Sequence, residues 1–339
     1  MKVSVIGSGA WGTAIALVML DNGYDVTLWS KFEEEVKNLK ATRENPLLGG
    51  VLIPEEIYIT SEIGLAAQGA GALVVAVPSF AVRETAEALR GRLTDGCVVI
   101  CASKGIEKDT SSLFTSIIGD IIGNETPIAS VSGPTHAEEV ARRIPTACVA
   151  ASVDIAIADR VQGMLMNDYM RVYTSNDVIG VELGAALKNV IALSVGICEG
   201  LGFGDNTMAM LMTRGLAEVA ELCVRMGGRK ETLAGLAGLG DLIVTCMSRH
   251  SRNRRAGVLI GKGVPAHEAM GEVGGIVEGY YAAKAAKEMS EAMGVDMPIC
   301  CEVYKVLHEE KLIEDGMKDL LGRRRKSEDR TGEERWVIR

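Results

Sequence analysis

The chain has 339 residues, which suits two domains on a prior of about 150 residues each, and 47% of them are hydrophobic. A net charge of −9 excludes a general nucleic-acid binder, which needs a basic excess against phosphates, and leaves room only for a local basic pocket. The apolar runs read as falling short of the roughly 20 residues of a membrane span, and the N-terminus enters a strand at once, with no stretch for a signal peptide. A soluble, cytoplasmic protein is expected.

The first elements are the clearest. Val3, Val5 and Ile6 form a short apolar run that predicts a buried strand. Gly7, Gly9 and Gly12 follow with G-x-G-x-x-G spacing, and Ala14, Ile15, Leu17 and Val18 continue at helical spacing to a stop at Asn22-Gly23. Strand, glycine loop and helix in that order make the turn that holds a dinucleotide pyrophosphate: Gly7 for the tight turn, Gly9 for close approach to phosphate, Gly12 for packing of helix on strand. The helix N-terminus adds unpaired N–H groups and a partial positive charge.

Strands are then predicted at 25–29, 57–60, 72–77, 97–101, 128–131, 146–150 and 171–173, alternating with helical stretches at 33–40, 65–67, 81–89, 112–122 and 155–166. The strands are continuously apolar rather than alternating, which points to a sheet covered on both faces, hence a doubly wound α/β domain over 1–174. From Ser175 the pattern changes to long stretches with apolar residues at three-and-four spacing, at 178–198, 208–226, 278–292 and 299–309, and an all-α second domain is expected over 175–321. Residues 322–339 are almost all charged or polar and read as a solvated tail. The eight cysteines include no CxxC pair, and with four histidines there is no metal-ligand spacing; buried, reduced thiols and no metal are expected.

Ligands in open parallel sheets sit beyond the carboxyl ends of the strands. That rule selects the glycine loop, Pro78-Ser79-Phe80, Ser103-Lys104-Gly105 and Ser132-Gly133-Pro134-Thr135. Lys104 is a cation just past a buried strand; the bland alternative is a solvated loop lysine. Lys188 stands in an otherwise apolar, small-residue helix with only Glu182 as a charged neighbour. Lysine is rarely buried unpaired, so it either snorkels out or lines a cleft, where desolvation would move it toward proton exchange. Asp241, after the glycine pair of Gly238-Leu239-Gly240, is its plausible carboxylate partner, with Thr245 nearby. Ser251-Arg252-Asn253-Arg254-Arg255 at a predicted helix start is a recipe for one phosphate, the alternative being a solvated basic helix. Val277-Glu278-Gly279 precedes another helix.

Taken together, G-S-G-A-W-G-T-A (7–14), S-K-G-I (103–106), S-G-P-T-H-A (132–137), L-K-N-V-I-A (187–192), G-L-G-D-L-I-V-T-C (238–246), S-R-N-R-R (251–255) and V-E-G (277–279) resemble the bacterial-type NAD(P)-dependent glycerol-3-phosphate dehydrogenases, over 1–321 and in the family's order. The resemblance implies reduction of dihydroxyacetone phosphate to sn-glycerol 3-phosphate for phospholipid synthesis, by a homodimer. It implies that Lys188 gives and takes the proton and that Asp241 orients it. Lys104 touches substrate and cofactor, Gly133 and Thr135 line the substrate pocket, and Ala137 meets the nicotinamide half. Ser251, Arg252 and Asn253 take the substrate phosphate, with Arg252, Val277 and Glu278 also on the dinucleotide and Ser8 and Trp11 at the pyrophosphate.

One departure bears on the cofactor. A fingerprint site that prefers NAD has Asp or Glu ending the second strand, whereas here Leu28-Trp29-Ser30-Lys31 stands there and Glu33 to Glu35 fall in the next helix. With no carboxylate to repel a 2′-phosphate, and Ser30 and Lys31 to bind one, NADP as well as NAD is expected to be accepted, with a preference for NADPH left open. The competing readings are another two-domain dehydrogenase of hydroxyacid or ketopantoate type, which lacks the S-R-N-R phosphate stretch, and a dinucleotide sensor, which needs no proton relay.

Overall fold

The computed structural model describes residues 1–108, 110–325 and 328. Most of the expected tail therefore lies outside the described residues; at its start Arg323 donates to Asp296 at 2.6 Å.

Eight strands are described: β1 (Lys2–Ile6), β2 (Asp25–Trp29), β3 (Tyr58–Thr60), β4 (Ala72–Val75), β5 (Val98–Cys101), β6 (Ile128–Ser132), β7 (Thr146–Ala151) and β8 (Met170–Ser175). They form one sheet in the order β3-β2-β1-β4-β5-β6-β7-β8. The connections carry α1 (Ala10–Asp21), α2 (Glu33–Thr42), α3 (Ile63–Ala67), α4 (Val82–Leu89), α5 (Phe114–Ile122), α6 (Ala137–Val140) and α7 (Ile155–Leu165). Val3, Val5, Ala14 and Val26 belong to the core on one face, and Ile6, Leu73, Leu89 and Phe114 to the core on the other, as a doubly wound sheet requires. The pairs from β3 through β6 are parallel, but β7 runs antiparallel to β6 and parallel to β8. The 133–145 connection holds only the single turn α6, too little helix to carry the chain back across the sheet for a parallel return.

From β8 the chain enters α8 (Val178–Gly200), then α9 (Asp205–Arg225), α10 (Lys230–Leu233), a π turn (Leu236–Gly240), α11 (Asp241–Met247), α12 (Arg252–Gly261), α13 (Ala266–Glu272), α14 (Glu278–Met293), α15 (Pro298–His308) and α16 (Ile313–Leu321). The long helices match the expected stretches. The short α10, α11, α13 and α16 have too few turns for their periodicity to stand out from the loops around them.

The helix α8 is the axle of this half. Asp177 caps it, accepting from Gly180 N at 3.0 Å, and also accepts from Arg229 N at 2.9 Å and the Thr232 hydroxyl at 2.5 Å. Residues from Gly180 to Cys198 are buried without a break. The expectation of no span-length apolar run is corrected here: α8 is long and apolar enough to cross a membrane, yet 89% of its apolar window is buried inside the protein, which makes it a core helix. Glycines let its neighbours come close. A Cβ on Gly196 would lie 2.2 Å from the Arg254 carbonyl oxygen, and one on Gly257 would lie 2.4 Å from that of Leu193, so α12 packs backbone to backbone on α8. The eight cysteines are all free, and seven are fully buried.

Candidate active site

The site is built where the sheet's carboxyl edge meets α8 and α11. Lys188 lies on the third turn of α8 with its side chain 8% exposed. Its ammonium donates to Asp241 Oδ1 and, at 2.8 Å, to Thr245 Oγ1. Asp241 opens α11 directly after the π turn, which shifts the backbone so that its carboxylate faces α8; Gly238 within that turn sits where a Cβ would lie 2.1 Å from the Leu233 carbonyl oxygen. Thr245, one turn further along α11, donates to the Asp241 carbonyl at 2.6 Å.

From the other half, Lys104 follows β5 and reaches across the boundary. Its ammonium donates to Asp241 Oδ2 at 2.9 Å, to the Gly133 carbonyl at 2.9 Å and to Thr135 Oγ1 at 3.4 Å. One buried carboxylate thus holds two lysines, and the three groups leave one net positive charge. Burial pushes the Lys188 ammonium down to about 8; Asp241 opposes that shift and Lys104 reinforces it. Burial alone would raise Asp241, but Lys104 and Lys188 together hold its carboxyl below the ordinary value. Lys104 keeps 19% of its side chain exposed and so lines the mouth of the site rather than its floor.

Beside this cluster, α12 presents its N-terminus. Ser251 is its cap, accepting from Arg254 N at 3.2 Å, and Arg252 is exposed on its first turn. Of the four arginines in 249–255, Arg254 is committed to Glu199 at 2.6 Å. Asn253 is also engaged: it donates to Asn189 Oδ1 at 2.9 Å and accepts from Gly279 N at 2.8 Å, locking α8, α12 and α14 together. Val277 is buried as the cap of α14. Burial pushes the Glu278 carboxyl up, and Ser79, beyond β4, and Arg252 oppose that shift. Ala137 is buried at the start of α6.

The glycine loop fits a dinucleotide. A Cβ on Gly7 would lie 2.4 Å from the Ala76 carbonyl oxygen and one on Gly12 would lie 1.8 Å from that of Gly7, whereas nothing lies within 4 Å of one on Gly9, so the space above Gly9 is open. Helix α1 has no side-chain cap, which leaves its first N–H groups for an anion. The carbonyl of Ser8 accepts from Asn45 Nδ2 at 2.8 Å, and Asn45 also donates to Thr13 Oγ1 at 2.7 Å, a brace from the 43–53 loop that sequence motifs do not reveal. Trp11 points its indole N–H at the Ala102 carbonyl, 3.1 Å away, over the end of β5. At the end of β2 the expectation that no carboxylate is present is overturned. Ser30 donates to Glu35 at 2.5 Å and Lys31 pairs with Glu84 at 2.6 Å, because side chains from α2 and α4 reach where the strand itself supplies none.

Residues 2–158 match the model for the NAD-dependent glycerol-3-phosphate dehydrogenase N-terminus and 177–318 the model for its C-terminus. The glycerol-3-phosphate dehydrogenase (NAD(P)+) of Agathobacter rectalis is 48% identical, over 96% of this chain and 97% of its own. The crystal structure of glycerol-3-phosphate dehydrogenase from Coxiella burnetii superposes with a TM-score of 0.91 at 35% identity, covering 95% of this chain and 99% of that one. A ketopantoate reductase from Ralstonia eutropha, at 15% identity and a TM-score of 0.60 over 91% of this chain and 98% of its own, shares the fold alone. With both halves matched and a close relative aligned along nearly its whole length, the chain belongs to the NAD-dependent glycerol-3-phosphate dehydrogenase family.

Proposed function

We propose that the protein catalyses the reversible reduction of dihydroxyacetone phosphate to sn-glycerol 3-phosphate with NADH or NADPH, supplying phospholipid synthesis as a cytoplasmic homodimer. The observation that carries this reading is the shared carboxylate: Asp241 holds a buried lysine from the helical half and a second from the end of β5 at one place. In this reading 1–174 bind the dinucleotide and 175–321 the phosphate-bearing substrate.

A dinucleotide held by the glycine loop would supply the hydride for the ketone carbon. Lys188 protonates the carbonyl oxygen as negative charge develops there, and takes the proton back in the reverse direction. Lys104, at the mouth, adds a second positive charge that favours the transition state over the neutral ketone. Asp241 keeps the Lys188 ammonium aimed and charged, and Thr245 fixes its second donor direction. Gly133 and Thr135 line the pocket beside Lys104, with Ala137 against the nicotinamide half. Ser251, Arg252 and Asn253 hold the phosphate at the α12 N-terminus. Gly7, Ser8, Gly9, Trp11 and Gly12 hold the pyrophosphate side, with Arg252, Val277 and Glu278 closing from the helical half.

Oxidation of reduced nicotinamide, followed by absorbance, is expected to depend on dihydroxyacetone phosphate and not to occur with ketopantoate. Activity with ketopantoate alone would replace this reading with its fold-sharing rival, and cofactor binding without turnover would favour a sensor. The same assay gives a pH signature. Lys188 must be charged to donate, so reduction falls as pH rises through about 8, while oxidation of sn-glycerol 3-phosphate, which needs the neutral amine, rises through the same point. Limbs of the same sign in both directions would exclude Lys188 as the titrating group.

A further inference from the structure

Discrimination between NADH and NADPH in this fold is set at the end of the second strand, where a carboxylate accepts the ribose 2′-hydroxyl and repels a 2′-phosphate. Here the backbone supplies Ser30 and Lys31, which read alone favour the phosphate. In the folded chain neither is free for it. The buried Ser30 hydroxyl is given to Glu35, in the first turn of α2, at 2.5 Å. The Lys31 ammonium is given to Glu84, in the first turn of α4, at 2.6 Å. These contacts follow from topology: β1 lies between β2 and β4 and is parallel to both, so the carboxyl ends of β2 and β4 flank the glycine loop on one edge of the sheet. Together Lys31, Glu35 and Glu84 carry one net negative charge.

A 2′-phosphate entering here must take Lys31 away from Glu84 and lie near Glu35. A 2′-hydroxyl meets no such opposition, and Glu35, half-buried and carrying spare lone pairs, can accept a hydrogen bond from it. We propose that Glu35 and Glu84, neither of which belongs to the fingerprint, set the cofactor ratio by restoring through space the carboxylate that the strand lacks. The inference rests on the reading that this edge holds the adenosine ribose of a dinucleotide.

The test is calorimetric titration of the full-length protein with NADPH and with NADH, alongside kcat/KM for each. The Lys31–Glu84 pair is exposed, with side chains 55% and 65% accessible, so the effect is moderate. Glu84→Gln is expected to tighten NADPH roughly three- to tenfold and to leave NADH within about twofold. Glu35→Gln is expected to weaken NADH while tightening NADPH. The gain in Glu84→Gln is expected to vanish when Lys31→Gln is added, because the released ammonium is its source. A Kd ratio that neither carboxylate variant moves by twofold, a shift of both cofactors together, or a gain that survives loss of Lys31 would overturn the inference while leaving the dinucleotide reading intact. Binding of neither cofactor to the parent protein would overturn both.

Discussion

Replacing Lys188 with alanine is expected to lower kcat for dihydroxyacetone phosphate reduction by about a thousandfold or more while leaving cofactor affinity nearly unchanged. In the proposed mechanism the variant loses the proton donor, a contribution of about 10²- to 10⁴-fold in well-placed acid–base catalysis, and one of the two positive charges proposed to face the developing oxyanion. A thousandfold loss corresponds to about 4 kcal/mol of transition-state stabilisation. The fold is expected to tolerate the change. Asp241 keeps Lys104 as its partner at 2.9 Å, so no buried carboxylate is left unpaired, and alanine is the best helix former for a position in the middle of α8. Lys188→Met, which retains most of the side-chain volume, separates loss of charge from loss of packing and is expected to be equally inactive. Steady-state kinetics with calorimetric titration of NADPH decides the point: a variant with more than a tenth of the parental kcat would remove Lys188 from the chemistry, and one with lost cofactor binding would reveal a structural role instead.

Local features were the most legible in the sequence. The β1 run, the glycine loop and α1 are contiguous, so their chemistry could be read from a dozen residues. Lys188 stood out as a cation in an apolar helix, which is unusual wherever the helix ends up. What escaped reading depends on contacts distant in sequence. Lys104 and Asp241 meet across 137 positions, and their meeting depends on a π turn that no periodicity marks. Asn253 could be named as a polar residue at a helix start, but its lock on Asn189 and Gly279 arises only once α8, α12 and α14 are packed. Glu84, which pairs with Lys31, was invisible for the same reason, lying 53 positions from its partner, whereas Glu35 is near Ser30 in sequence and was assigned only to the next helix. The antiparallel β7 was missed because its strand composition matches that of its parallel neighbours; only the short 133–145 connection sets its direction. And α8 is buried on all sides from Gly180 to Cys198, so its apolar spacing marks a helix without telling which neighbour each face meets.

Replacing Asp241 with asparagine is expected to cost about a hundredfold in kcat at neutral pH, and also to move the alkaline limb of the reduction profile to lower pH by about one unit or more. The change is nearly isosteric and removes only charge. Burial and Lys104 both press Lys188 toward its neutral form, and Asp241 is what opposes them. Without the carboxylate, two ammonium groups that now share it are left in one buried spot with no compensating anion, and the better-buried one, Lys188, loses its proton first. Reduction then fails at a pH where the parent is fully active, because the donor is already spent, while oxidation of sn-glycerol 3-phosphate retains its base and suffers only from lost aim. This asymmetry distinguishes a residue that sets the charge on Lys188 from one that merely supports the fold, since a folding defect would depress both directions alike. Thermal or denaturant unfolding is expected to report a loss of about 3 kcal/mol, the order found when one partner of a buried ion pair is removed. The outcome that would sink the assignment is a correctly folded Asp241→Asn protein whose pH limbs stay where the parent has them in both directions.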